Sequence, residues 1–202
     1  MQFICFRTKV YCEDKKVQGR RIKGPAIVVS NHTSVFDFAV FLFVFFGRTL
    51  RYQMAEVLFE INKILGWFLR KLGGIRINRK TYNFSFIDKS EEILRDGGVV
   101  GIFPESRLPL KDEERPLPFK ASAAIIAMRS DVPVIPVYTN GKYFAKERAR
   151  VIIGRPIYVN EYVDSDLTEK ENARNISIIM RDKILELKYE LERQTKEKKT
   201  TV

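Results

Sequence analysis

Residues 30–37 read Ser30-Asn31-His32-Thr33-Ser34-Val35-Phe36-Asp37 and contain the chain's only histidine, five positions ahead of an aspartate. Imidazole is the side chain best suited to taking and returning a proton near neutral pH. A carboxylate within reach can hold one ring nitrogen while the other faces a substrate hydroxyl. The pair therefore points to general-base chemistry, against the alternative of a satisfied structural histidine with a polar neighbour. Further along, Ile75-Arg76-Ile77-Asn78-Arg79-Lys80 alternates apolar with polar residues and carries three cations. It reads either as a solvated edge strand or as a phosphate clamp, since a guanidinium presents a planar fork to phosphate oxygens. Pro104-Glu105-Ser106-Arg107-Leu108 brings together an acid and a base that are either a surface ion pair or a device for holding substrate.

The elements around these groups are those of an open α/β fold. Gly24-Pro25 precedes a β-branched run at 26–30 that reads as a buried strand, and a helical pattern starts at Asp37. His32 then lies in a strand-to-helix turn, where α/β sheets usually bind ligands. Thr33 or Ser34 is expected to cap the helix, with Asp37 in its first turn favoured by the helix dipole. The apolar run 38–46 is far short of the roughly 20 residues that span a bilayer, so it is either a buried helix or one whose outer face meets lipid or an acyl chain. Helical spacing of apolar residues predicts one amphipathic helix over 56–72, packed on the sheet or, with Trp67 and its basic residues, lying at a membrane interface.

Gly73-Gly74 ends that helix ahead of the strand at 75–80. A helix over 85–94 and a buried strand over 99–103 follow, the latter delivering Glu105 to the same kind of loop as His32. The charged stretch 111–115 reads as loop. A helix over 119–128 would carry Lys120 in its first turn, an unfavourable place for a cation unless an anion lies close. Val132-Pro133-Val134-Ile135-Pro136-Val137-Tyr138 reads as a strand whose prolines imply an edge or irregular pairing. A last strand and extended turn fall within 151–159, a long helix over 167–191, and a charged, mobile tail over 193–202. The segment 3–11 reads as a strand and lacks the features of a secretory signal.

The length of 202 residues fits one domain, and the formal net charge of +11 implies an anionic partner. Nucleic acid is disfavoured, because the cations are dispersed, the aromatics lie in apolar runs and no groove-reading motif occurs. An acidic lipid surface or a phosphorylated substrate remains. Cys5 and Cys12, the only cysteines, have no nearby Cys or His, which suggests neither a zinc site nor a disulfide framework and fits a reducing, cytosolic setting.

Four motifs in order make the chain similar to the lysophospholipid and glycerol-phosphate acyltransferase superfamily, and within it to the bacterial 1-acylglycerol-3-phosphate acyltransferases. Asn31, His32, Ser34 and Asp37 match the first, N-H-x-S/T-x-x-D. Gly74-Ile75-Arg76-Ile77-Asn78-Arg79 resembles the second, a glycine followed by an arginine on a strand. Phe103-Pro104-Glu105-Ser106-Arg107 matches F-P-E-G-T-R in part, with serine for glycine and one residue fewer. The fourth, V-P-V-x-P-V, is intact at 132–137, and Phe119-Lys120 resembles the pair that opens the preceding helix.

The resemblance implies a single α/β domain over 1–192, a mixed, mostly parallel sheet flanked by helices. It implies transfer of an acyl group from acyl-CoA or acyl-carrier protein to the sn-2 hydroxyl of 1-acylglycerol 3-phosphate, with no metal and no further cofactor. His32 would be the base and Asp37 its orienting partner. Arg76, Arg79, Arg107 and Lys120 would hold the acceptor phosphate and Glu105 would orient an arginine or an acceptor hydroxyl. Asn31, Ser34, Gly74 and Ser106 would complete the site. Amides near His32 or in the Glu105-Ser106 turn would receive the oxyanion. The implied partners are a lysophospholipid acceptor, a thioester donor and an anionic membrane surface, with the protein cytoplasmic and peripheral on the inner face of the cell membrane. Another lysolipid or glycerol 3-phosphate as acceptor, or a non-catalytic lipid-binding relative, are the alternatives.

Overall fold

A computed structural model of the chain describes residues 8–78, 84–145 and 147–200. Seven strands, β1 (Lys9–Cys12), β2 (Ala26–Ser30), β3 (Leu50–Ala55), β4 (Ile75–Ile77), β5 (Val99–Ile102), β6 (Val134–Thr139) and β7 (Arg150–Ile153), form one sheet in the order β1-β7-β6-β2-β5-β3-β4. Every neighbouring pair is parallel except β6 and β7. The helices are α1 (Asp37–Val44), α2 (Val57–Glu60), α3 (Lys63–Lys71), α4 (Ser85–Arg95), α5 (Ser122–Ser130) and α6 (Glu169–Thr200), with a 3₁₀ turn at Val159–Tyr162.

The alternation of β2 decides the layering. Ile27 and Val29 pack with α4, α5 and α6, whereas Ala26 and Val28 pack with α1, α2 and α3. All five residues of β2 are buried because both faces of the sheet are covered, which is why its sequence reads as an unbroken apolar run. The loops after β2, β5 and β6 emerge together at the strand C-terminal ends, with β3 and β4 ending on the same side.

Several expectations need correction. The helix anticipated over 56–72 is two helices, because Asn62 is extended and its side chain accepts the amides of Ile64 and Leu65 as an N-cap. The proline-bearing strand β6 lies inside the sheet, between β7 and β2. Pro136 is tolerated there because its carbonyl, accepting Gly154 N–H at 2.8 Å, and its imide nitrogen face β7 just beyond the last paired residues, Val137 and Ile153. Helix α5 begins at Ser122, so Lys120 precedes it. Helix α6 continues to Thr200, beyond the anticipated end at 191. Of the anticipated N-terminal strand, β1 begins at Lys9; residues 1–7, with Cys5, lie outside the described residues.

Candidate active site

Asn31 anchors the loop that leaves β2. Its side-chain amide donates to the carbonyl of Thr139 and accepts the Thr139 N–H, both at 2.9 Å, as a strand neighbour would. This role replaces the substrate contact expected for Asn31. The next residue, His32, lies flat against Phe103, ring centroids 4.3 Å apart and planes 15° from parallel. Its Nδ1 is 2.8 Å from Asp37 Oδ2, which leaves Nε2 for a substrate in the cavity that the ring lines.

Asp37 is fully buried and surrounded by donors. Besides the imidazole, Oδ2 accepts the amides of Thr33 at 2.6 Å and Ser34 at 2.9 Å. Oδ1 accepts the Thr33 hydroxyl at 2.9 Å and the Tyr143 hydroxyl at 2.5 Å. The anticipated capping is thus reversed: neither Thr33 nor Ser34 caps α1, whose N-cap is Phe36, and Asp37 instead binds the amides of the preceding turn. Ser34 Oγ accepts the Phe36 amide at 3.2 Å and serves this turn.

Glu105 is not paired with Arg107. It is buried, and its two oxygens accept the amides of His32 at 2.8 Å and Leu117 at 3.0 Å, clamping the loops after β2 and β5 together. Burial pushes its pKa up, against the lowering effect of those two amides. Arg107 turns outward to a bidentate ion pair with Glu113, whose carboxyl it holds down at about 2. Ser106 has φ 64°, the left-handed region in which the glycine of the family motif sits freely and a serine costs about 1–2 kcal/mol.

A cavity of about 640 Å³ opens beside His32. Its walls are mainly apolar, from Phe36 and Phe38 around α1, Leu58, Leu65 and Leu69 of α2 and α3, and Phe84 and Phe86 at α4. Its polar side chains are His32, Gln53, Asn78, Ser106, Lys120 and Ser122. Among the described residues, Lys120 is therefore the only cation on the cavity wall. Arg76 does not join it: Ile77 faces the cavity, so Arg76, one residue earlier on the strand, faces the other way. There it lies over the Phe59 ring at 5.2 Å and within 4 Å of Glu56 and Glu60. Gly74 is a packing position, since a Cβ there would come within 3.0 Å of Phe59 Cζ. Arg79 lies outside the described residues.

The sequence profile of a family described as Acyltransferase matches residues 7–140. The chain belongs to the acyltransferase family. It is 28% identical over 148 residues to the 1-acyl-sn-glycerol-3-phosphate acyltransferase of Bacillus subtilis, an overlap covering 71% of each chain. The enzyme of that name from Borreliella burgdorferi is 25% identical over 174 residues, 81% of this chain and 66% of the relative. The fold is similar to the crystal structure of the 1-acyl-sn-glycerophosphate acyltransferase PlsC from Thermotoga maritima, with TM-score 0.61, 24% identity, and coverage of 91% of this chain and 73% of that one.

Within this acyltransferase, the amides expected to receive an oxyanion are largely engaged already. Those of His32, Thr33 and Ser34 serve Glu105 and Asp37, and that of Ser106 bonds the Phe103 carbonyl at 3.0 Å. Two features of the site have no local sequence motif to announce them, Tyr143 and the ring stack beneath His32. Phe103 is sandwiched between His32 and Tyr52, its centroid 5.1 Å from that of Tyr52. Tyr52 in turn fits only because residue 101 is glycine: a Cβ there would lie 2.3 Å from the tyrosine ring. Gly101 inside a buried strand was the available signal for that close approach. Tyr143 carried none, being in a loop and 106 positions from Asp37.

Proposed function

We propose that this acyltransferase moves a fatty acyl group from an acyl thioester to the sn-2 hydroxyl of 1-acylglycerol 3-phosphate, giving phosphatidic acid. The observation that carries the reading is a His32–Asp37 pair, its aspartate fully buried and its imidazole opening on an apolar cavity with a lysine on its wall. The names of the curated relatives support the acceptor; acyl-CoA and acyl-carrier protein are both suitable donors.

His32 Nε2 takes the proton of the acceptor hydroxyl as that oxygen attacks the thioester carbonyl. Asp37 keeps the ring proton on Nδ1 and stabilises the imidazolium. The tetrahedral intermediate then collapses, the C–S bond breaks, and the imidazolium returns its proton to the departing thiolate. The acyl group passes directly between substrates, so no acyl-enzyme forms. Lys120 is the described residue placed to hold the acceptor phosphate, while the apolar walls accommodate the acyl chains.

The membrane is the source of the acceptor in this reading. Helix α3 turns Leu65 and Leu69 to the cavity and exposes Ile64, Trp67 and Phe68, with Lys63, Arg70 and Lys71 on the same short helix. That arrangement suits an interfacial element: apolar groups enter the lipid boundary while cations meet anionic headgroups. No helix among the described residues is long and apolar enough to cross a bilayer, and a peripheral position on the inner face of the cell membrane follows from this reading.

Thiol release from acyl-CoA and from acyl-carrier protein, with and without 1-acylglycerol 3-phosphate, tests the proposal. Acceptor-dependent release that falls by about 10²–10⁴ in His32→Ala is expected. Release indifferent to the acceptor, or undiminished in the variant, would refute it.

A further inference from the structure

Asp37 is served from two directions. The turn before α1 supplies both donors at Oδ2 other than the imidazole and, through the Thr33 hydroxyl, one at Oδ1; the second donor at Oδ1 is Tyr143, which comes from the loop after β6. Tyr143 is buried, and its hydroxyl also lies 3.0 Å from Thr139 Oγ1. Because a carboxylate only accepts, Tyr143 donates to Asp37, and the Thr139 hydroxyl then donates to Tyr143. Thr139 Oγ1 itself accepts the Gly141 amide at 3.2 Å. Gly141 makes the close approach possible: its φ is +69°, and a Cβ there would come 2.5 Å from Thr33 Oγ1. A directed chain thus runs from the end of β6 through Thr139, Tyr143 and Asp37 to His32.

We propose that Tyr143 is a positioning residue of the acyl-transfer centre: its hydroxyl pins Asp37 Oδ1, which keeps Oδ2 on His32 Nδ1 and limits how much of the carboxylate's charge reaches the ring. The inference rests on the function proposed above. Tyr143 is buried and is not among the residues lining the cavity; it acts through Asp37. Burial, and then the charge of Asp37, push its phenol far above the ordinary tyrosine range, so it stays a donor at any working pH. The base is thereby tuned. Asp37 must hold the imidazolium, but a carboxylate shared with fewer donors would hold it so firmly that more of the base stayed protonated near neutral pH.

Among the described residues, the other charged or titratable groups around His32 are Glu105, which binds its amide, Lys120 on the wall of the same cavity, and Tyr52 behind Phe103. None of these is altered by Tyr143→Phe, which removes one hydroxyl and keeps the ring. Since the chain holds a single histidine, NMR titration of the imidazole in the untagged protein reports His32 alone and requires no substrate. Tyr143→Phe is expected to move the titration midpoint up by about half to one pH unit. The acid limb of kcat/KM should move with it, so that activity on that limb falls by up to about 3–10-fold and is restored at pH values above the shifted midpoint. Thr139→Val, which leaves Tyr143 in place but removes the donor behind it, should shift the midpoint in the same direction by a smaller amount. A folded Tyr143→Phe protein with an unmoved or lowered midpoint would overturn the proposal, as would an unmoved midpoint in Thr139→Val should the first variant not fold. A titration shift in a chain without transferase activity would overturn the function and leave the coupling of Tyr143 to His32 standing.

Discussion

Replacing Asp37 by asparagine separates the charge of this residue from its geometry. Three donors of fixed direction converge on Oδ2: the imidazole Nδ1–H and the amides of Thr33 and Ser34. The two donors at Oδ1 are hydroxyls, of Thr33 and Tyr143, and hydroxyls can turn and accept. The asparagine oxygen is therefore expected at the Oδ2 position and its amide at Oδ1, with the ring proton still on Nδ1. The fold should survive. Five charge-assisted bonds weaken by about 1 kcal/mol each, but the desolvation of a buried carboxylate, several kcal/mol, disappears with them, for a net loss of about 1–2 kcal/mol. Catalysis should not survive so well. A charge about 4 Å from the imidazolium at an effective dielectric constant of about 20 is worth about 4 kcal/mol, so kcat/KM should fall by about 10²–10³. Urea unfolding and acceptor-dependent thiol release measure the two effects. Activity within threefold of wild type would refute the role of the charge. A loss beyond about 10⁴ would show that the ring had reversed its tautomer, and the placement of the asparagine oxygen would be wrong.

The cations should divide sharply. Lys120→Ala is expected to raise the KM for 1-acylglycerol 3-phosphate about tenfold with kcat little changed, whereas Arg107→Ala and Arg76→Ala should stay within about twofold in steady-state kinetics. Equal losses at all three would restore the arginine clamp. On α3, Ile64→Asp combined with Trp67→Asp should weaken sedimentation with anionic vesicles at least tenfold, while turnover of a short-chain, water-soluble acceptor is kept; unchanged vesicle binding would remove this helix from the membrane face.

The order of strands and helices was legible along the chain because periodicity is a local property. The unbroken apolar run of β2 and the helical spacing of α4 and α6 each report on their own segment, and the turn carrying His32 follows from the first of them. The five-residue separation of His32 and Asp37 is also local: one turn closes it, and the pair forms as its residue types suggest. Where sequence reading went astray, a local pattern met a distant partner. Arg76 is a cation on an edge strand, but the pleat turns it from the cavity toward Glu56 and Glu60 at the two ends of α2. Glu105 and Arg107 are near neighbours, yet the amides of His32 and Leu117 claim the acid and Glu113 claims the base. Pro136 resembles an edge residue until the end of β7 falls beside it. The completion of Asp37 by Tyr143 depends on β6 lying next to β2, and no spacing encodes that. Backbone sterics and apolar periodicity act over a few residues and are written into each segment. Hydrogen-bond partners for buried charge are assigned only when packing brings distant segments together and excludes the water that would otherwise have served.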